Sequence, residues 1–438
     1  MKTVSTKLEE IAKVAKMRPK EQFTSLAHLV NLEMLEQCHR EMKIGKATGI
    51  DKVTKEQYAE NLIENLENLI IRMKKHSYRP QPVKRAYIPK LGSDKQRPLG
   101  IPAYEDKLVQ AAFTKILNAI YEQKFVETSY GYRPNRSQHD ALKALNLIIH
   151  QKPINFIVDV DIKGFFDNVD HEWMMKFIEH DIKDPNIIRY IRRFLKSGVM
   201  ENGQIHRTAE GTPQGGVVSP ILANIYLHYV QDLWFEKLIK RNMRGAAYMV
   251  RFADDSVFCF QWEDEAREFY KLYRERLEKF NLEIAEEKSN IIRFSTKDSG
   301  GNSGTFDFLG FTHYIGKSRN NKPRVKRKTS RKKYQAKLQE YKAWLKTNMH
   351  EPLGELIKSL NRKLEGYYNY YGVTDNIVML KKIREEIKKM LYKVLCRRSR
   401  ERYLEWEAFK LLMKWYPITR PRVKVSIFDL KQERGCIL

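Results

Sequence analysis

The 438-residue chain carries 81 Lys and Arg against 54 Asp and Glu, a formal net charge of +27. This length exceeds a single compact core and predicts two or three domains, and so basic a surface predicts a polyanionic partner. Cys38, Cys259, Cys396 and Cys436 form no CxxC pair, no apolar run reaches the roughly 20 residues that cross a bilayer, and the N-terminus has no apolar leader; these features argue against a disulfide framework, a zinc module and a membrane span, and predict a cytoplasmic protein.

In chain order, residues 21–75 show helical spacing interrupted by "KIGKATGIDKVT". "VKRAYIPKLGSDKQRPLGIP" predicts two strands turning at Gly92–Ser93, followed by a helix from about Glu105. "SYGYRPNRSQHDALKALNLII" reads as a loop entering a helix, and "NFIVDVDIKGFF" as a buried strand that carries charge. A helix begins at "HEWMMKFIEH", and another, "ILANIYLHYVQDLWFEKLI", follows "GTPQGGVVSP". A strand pair around Asp254, a helix and short strands through "FDFLGFTHY" complete the body. From Arg331 the pattern is helical, ending in the Pro-interrupted "MKWYPITRPRVKV". This order predicts an α+β body with an all-α appendage. Charge divides along the same line: Lys317–Leu438 holds 33 Lys and Arg against 12 Asp and Glu, the preceding 316 residues 48 against 42. A dedicated phosphate-gripping module at the C-terminal end follows from that asymmetry.

Two apolar strands carry carboxylates where burial is expected. "MVRFADDSVF" sets Asp254 beside Asp255, and "FIVDVDIKGFF" spaces Asp159 and Asp161 two apart, on one strand face. Side by side, these strands gather three or four carboxylates, and each raises the pKa of the others. Divalent metal resolves that conflict. Two ions held by acidic residues are the standard apparatus of phosphoryl transfer, and Mg²⁺, with Mn²⁺ as a substitute, suits an all-oxygen site that shares substrate phosphates. A solvated Asp-Asp turn and strand-end capping are the plainer alternatives; their pairing on two apolar strands weighs against both.

"RFADD" resembles the Tyr/Phe-Ala-Asp-Asp box of reverse transcriptases, and "VDIKGFFDNVDH" is similar to their first catalytic-aspartate block. With "AYIPKLGSDKQRPLGIP", "SYGYRPNRS", "GTPQGGVVSPILANIYL", "NLEIAEEKSNIIRF" and "FDFLGF" in order, the chain resembles a bacterial group II intron-encoded reverse transcriptase (maturase) from about Met34 into the basic tail. That resemblance implies a right-hand polymerase: fingers and palm with an antiparallel palm sheet, then an all-α basic thumb. The implied divisions are 1–75 (N-terminal extension and start of fingers), 76–315 (fingers and palm), 316–395 (thumb, or maturase domain) and 396–438 (a short basic DNA-binding segment).

Carried over residue by residue, Asp161 and Asp254 would bind both metals, with Asp255 completing the cluster and Asp254–Asp255 at the tight turn of a hairpin; Asp159 shares the face but not the alignment. Phe165 or Phe166 would be the gate against a ribose 2′-hydroxyl. Lys90 and Arg97 would neutralise the incoming triphosphate, an exposed hairpin being the alternative. Gln214 would line the nucleotide and primer pocket, with Gly215 and Gly216 allowing close backbone approach, and Lys288 matches the next block. Arg133 and Arg136 beside Tyr130 and Tyr132 suit either phosphate contact with base stacking or a packed loop. Phe252 stands where Tyr is commoner. Tyr367, Tyr368, Tyr370 and Tyr371 read as core. The chain reaches Leu438 without the cysteine pairs of the endonuclease that many relatives carry, so a form lacking that module, priming from existing DNA ends, is expected.

The implied function is an RNA-directed DNA polymerase that copies RNA into cDNA and binds intron RNA to assist splicing and mobility. Its partners would be intron RNA, RNA template, DNA primer, target DNA and dNTPs, in a monomer or dimer. A host-adopted enzyme of DNA repair or phage defence, and a splicing maturase with little polymerase activity, are the alternatives.

Overall fold

The computed structural model of the chain describes residues 3–89, 96–201, 204–206, 211, 215–297, 303–398 and 404–429. Its strands are β1 (Val83–Pro89), β2 (Gln96–Ile101), β3 (Phe156–Val160), β4 (Val199–Glu201), β5 (Gln204–His206), β6 (Ala247–Phe252), β7 (Asp255–Phe260), β8 (Asn290–Arg293), β9 (Phe306–Phe308), β10 (Phe311–Lys317) and β11 (Pro323–Thr329). They form three sheets, ordered β2-β1-β4-β5, β6-β7-β3-β8 and β11-β10-β9. Among these, only the β1–β4 pairing is parallel.

The central sheet β6-β7-β3-β8 is buried on both faces, and the period of two decides which residue goes where. Phe156, Val158 and Val160 of β3 face a core built with the helix Glu263–Glu278 and the long helical run 219–242. Ile157, with Val257 and Cys259 of β7, faces the opposite core, closed by the helix Gln138–Gln151 and the β9–β11 sheet. The helix Gln138–Gln151 starts where Ser137 accepts from the Asp140 amide and Asp140 reaches back to the Ser137 amide, a reciprocal cap that satisfies two otherwise orphaned donors.

At the other side of the body, Asp184 caps the helix Pro185–Leu195 through the Asn186 and Ile187 amides and accepts from Leu26 and Ala27 at 2.6 and 2.8 Å. One carboxylate thus ties the N-terminal segment to the body. That helix buries Ile187, Tyr190, Ile191, Phe194 and Leu195, a 3.6-residue stripe.

The helices Arg331–Thr347, Leu353–Tyr371 and Ile377–Cys396, with Trp406–Trp415, pack around a third core of Tyr341, Leu345, Leu356, Leu360, Ile383 and Ile387. Tyr367 and Tyr368 are buried there, as packing residues, while Tyr370 and Tyr371 pack on Phe311. The basic stretch 317–329, read from sequence together with the helical tail, instead closes the β10–β11 hairpin and belongs to the body, with Val325 in the second core. Its alternating Val325, Arg327 and Thr329 are the buried positions, a period-two signal that the abundance of Lys and Arg obscured. The final described residues fold back: Lys424 and Val425 donate to the Gly372 carbonyl, and Ile427 is buried.

Candidate active site

Strands β6 and β7 form a hairpin in which Phe252 pairs with Asp255, leaving Ala253 and Asp254 as its two-residue turn. Ala253 has φ +59°, in the left-handed region that such a turn demands and that glycine usually fills. An alanine held there stores strain of order 1 kcal/mol, so its neighbours must fix the turn. One of them is Gly131 of the "SYGYRP" loop: a Cβ on it would lie 2.1 Å from the Ala253 nitrogen. Any side chain at 131 would therefore displace the turn.

The turn places its aspartates against the end of β3. Val160 pairs with Ser256, and one further step of that antiparallel register sets Asp161 opposite Asp255. Asp161 is held from a second direction. Its carbonyl accepts from the Ala285 amide at 2.8 Å, its amide donates to Ser289 Oγ at 3.3 Å, and Lys288 Nζ reaches its Oδ2 at 2.7 Å. The block containing Lys288 thus lies alongside the first aspartate block and delivers a cation to it.

Electrostatics confirm the crowding. Burial, followed by the charges of Asp254 and Asp161, pushes the Asp255 carboxyl up to about 7, while Lys333 and Arg97 pull it down. Asp255 is nevertheless exposed on one side, at the start of β7. Asp254 is also raised, by burial first, with Asp161 adding and Arg97 opposing. Asp159 is pushed up to about 7 by burial and by Asp255, Asp307 and Asp161. Among the described residues no three His, Cys, Asp or Glu side chains converge as a ready-made cation cage. The donor set still fits a hard divalent cation: Asp161, Asp254 and Asp255 offer only carboxylate oxygens, in a place where negative charge lacks sufficient compensation.

Around these carboxylates the other expected residues divide. Phe165 is buried and packs against Tyr226, whereas Phe166 is half-buried and meets Tyr132 edge-on, ring centroids 6.5 Å apart. Tyr132 itself is 50% exposed, and its hydroxyl feels Asp254, Arg97 and Asp255. Arg97 is exposed on β2 opposite Ile88 and acts electrostatically on both Asp254 and Asp255. Lys90 and Gln214 lie outside the described residues. Gly215, at φ +109°, approaches the Gly100 carbonyl of β2, where a Cβ would come within 2.8 Å; its close contact is with the hairpin that carries Arg97.

Arg133 and Arg136 take the packed-loop alternative rather than that of phosphate contact. Arg133 Nε donates to Glu122 Oε1 at 2.9 Å, its Nη1 donates to the Val126 and Ser129 carbonyls, and its side chain is 1% exposed. Arg136 pairs with Glu127 and lies over Tyr130. Both acidic partners lie upstream of the motif that begins at Ser129, so the motif alone gave no sign of them.

Sequence reading missed Lys333, on the first helix after β11, whose charge reaches Asp255. It also missed Arg251, fully buried against Asp232. An arginine within an apolar strand, and an aspartate within an apolar helix, were the available signals.

Residues 88–313 match the family described as reverse transcriptase (RNA-dependent DNA polymerase), and residues 331–412 match the maturase-specific domain of group II introns. The group II intron-encoded protein LtrA of Lactococcus lactis subsp. cremoris is 41% identical over 232 residues, 52% of this chain and 38% of that protein. Protein YkfC of Escherichia coli (strain K12) is 34% identical over 199 residues, 45% of this chain and 52% of that one. The matched region therefore spans no more than about half the length of these relatives. A telomerase structure from Candida albicans overlays with a TM-score of 0.44 at 14% identity, covering 83% of this chain and 69% of that one, a likeness too distant to bear on the site. The β6–β7 aspartate hairpin lies inside the first matched segment and the basic helices inside the second: the chain belongs to the reverse transcriptase family and joins its polymerase domain to a group II intron maturase-specific domain.

Proposed function

We propose that the chain is an RNA-directed DNA polymerase of the group II intron type, which extends a DNA primer along an RNA template and binds intron RNA in support of splicing and mobility. The observation that carries this reading is the strained turn setting Asp254 and Asp255 against Asp161 at the end of β3. Asp161, Asp254 and Asp255 would hold two divalent cations, Mg²⁺ or Mn²⁺, which when bound supply Lewis-acid stabilisation of the pentavalent phosphate and of the attacking and leaving oxygens.

The side chains supply the remainder. Arg97, reaching the aspartates from β2, is placed to neutralise a triphosphate, the role also proposed for Lys90. Phe166, rather than the buried Phe165, is the less covered ring, meets the exposed Tyr132 and serves as the sugar gate. Lys288 balances the charge of Asp161 and, from the wall of the neighbouring cleft, would meet a substrate phosphate. Gln214 is proposed to line the nucleotide pocket.

A cleft of about 970 Å³ opens between the palm and the helix Arg331–Thr347, lined by Asp159, Lys288 and Asn290 on one side and by Arg331, Lys332 and Gln335 on the other. Its basic wall suits the phosphates of a template–primer duplex. No described helix is long and apolar enough to cross a membrane.

Primer extension on an RNA template with Mg²⁺ and dNTPs tests the reading, comparing wild type with Asp254→Ala and with the Asp254→Ala, Asp255→Ala pair. Extension by the wild type alone, with RNA binding preserved in all three, is the expected outcome. A folded, RNA-binding wild type that extends nothing would overturn it.

A further inference from the structure

The turn that carries Asp254 is held from behind by a buried polar lattice. Arg251, the last buried residue before the turn, is fully enclosed. Its Nε and Nη2 donate to the two oxygens of Asp232 at 2.8 and 2.6 Å, and its Nη1 donates to Asn224 Oδ1 and to the Ala253 carbonyl, both at 2.9 Å. That carbonyl belongs to the peptide joining Ala253 to Asp254, so its bond to Arg251 fixes the plane from which Asp254 departs. Asn224 continues the lattice by donating to the Gly131 carbonyl at 2.8 Å, and Gly131 presses on the turn from the other side.

Ser256, the cross-strand partner of Arg251, is held in the same way. Gln231 donates to Ser256 Oγ at 2.9 Å and accepts from the Tyr273 hydroxyl. Gln231 and Asp232 are consecutive in a helix, where side chains ordinarily diverge by about 100°. Here His228–Asp232 is a π-helical turn, and both side chains are directed to the sheet. Such widened turns recur at functional sites.

A buried ion pair is a poor source of stability, since desolvation offsets most of the attraction, and well-packed apolar residues often serve as well or better. A guanidinium fork, in contrast, fixes direction as well as distance. We infer that Arg251, oriented by Asp232 and Asn224, is a positioning residue that sets the carboxylate of Asp254 for catalysis, and that the π-turn 228–232 exists to deliver its partner. The inference rests on the proposed polymerase reading. It touches no substrate atom: Arg251 acts through the turn.

Three proteins separate position from stability: wild type, Arg251→Lys, and the pair Arg251→Met, Asp232→Leu, which removes both buried charges together. Each is measured for thermal unfolding, affinity for an RNA–DNA template–primer, single-turnover dNTP incorporation on prebound template–primer, and Mn²⁺ affinity by electron paramagnetic resonance. The double variant should stay folded, with an unfolding temperature lowered only by the two acceptors that lose Arg251, and keep its duplex affinity, while its maximal rate falls roughly 100-fold, as expected for a reacting group displaced by about 1 Å, and Mn²⁺ binding weakens. Arg251→Lys, which retains the charge but not the fork, should regain only part of the rate. A folded double variant with wild-type rate and Mn²⁺ affinity overturns the inference, and so does activity that merely tracks the folded fraction in every variant. An inactive wild type would instead defeat the polymerase reading itself.

Discussion

The palm and the C-terminal helices use positive charge in opposite ways. In the palm, Arg251 and Arg133 are sealed from water and every bond they make is internal. In the helical unit, Lys358 and Lys389 are more than 60% exposed, and a cleft of about 860 Å³ is lined by Arg384, Lys388, Lys414, Arg420 and Arg422 with Glu365 as its acidic member. Buried cations hold backbone in place and are insensitive to salt; exposed ones create a field whose reach ends within about a Debye length. The two regions therefore predict different failures when a cation or its partner is removed.

The largest effect belongs at the palm tip. Asp254→Asn preserves size and the turn but removes one negative donor, and extension should fall by roughly 1,000-fold or more while RNA affinity and its salt dependence are unchanged. A parallel loss of RNA affinity would erase the division between position and field. Next is Arg133→Met, which leaves Glu122 without its buried partner; chemical denaturation should show a loss of about 3–5 kcal/mol. If Arg133 met phosphate instead, stability would hold and the salt slope of RNA binding would drop.

The field of the helical unit is tested by neutralising Lys410, Lys414, Arg420 and Arg422 together with Gln. RNA affinity should fall about 10- to 100-fold at low salt, and the slope of log affinity against log salt should shrink by roughly 2–3. Single-turnover incorporation on prebound template–primer should stay near wild type. A rate defect there would mean that these cations position the reacting groups too.

How far the sequence reveals this arrangement follows from the same distinction. Asp159, Asp161, Asp254 and Asp255 were legible because charge inside an apolar, period-two stretch is costly and therefore informative. The α+β body and the helical end followed from the order of periodic segments, whereas the antiparallel palm sheet came only with the family resemblance. The different burial of Phe165 and Phe166 was not legible, since it depends on Tyr226 covering one ring and Tyr132 meeting the other. Nor were the partners of Arg133 and Arg136, Glu122 and Glu127, which a loop brings back from the preceding segment. The π-turn had no visible signature: "ILANIYLHYVQDLW" reads as an unbroken apolar helix, yet in the folded chain consecutive Gln231 and Asp232 both bond to one strand pair.

The smallest expected effect sharpens the comparison from the acidic side. Asp159 faces the crowded palm, and its carboxyl is pushed up to about 7, first by burial and then by Asp255, Asp307 and Asp161; in an unfolded chain an aspartate titrates near 3.9. The folded pKa lies above the unfolded one, so the fold prefers the neutral form. That contribution is fully present below about pH 4 and is lost as pH rises through 7. In chelator, the wild type should therefore gain thermal stability between pH 8 and pH 6 relative to Asp159→Asn, by roughly 1–3 °C. Glu407→Gln on the exposed helix Trp406–Trp415 supplies the contrast: its side chain is 76% exposed, and the substitution should leave the pH profile as it was. Parallel profiles for wild type and Asp159→Asn would mean that palm carboxylates are as well solvated as those of the helical unit. Added Mg²⁺ gives the deciding control, because a cation drawn to the cluster favours ionised carboxylates and should shrink the difference between wild type and Asp159→Asn, while leaving Glu407→Gln unaffected.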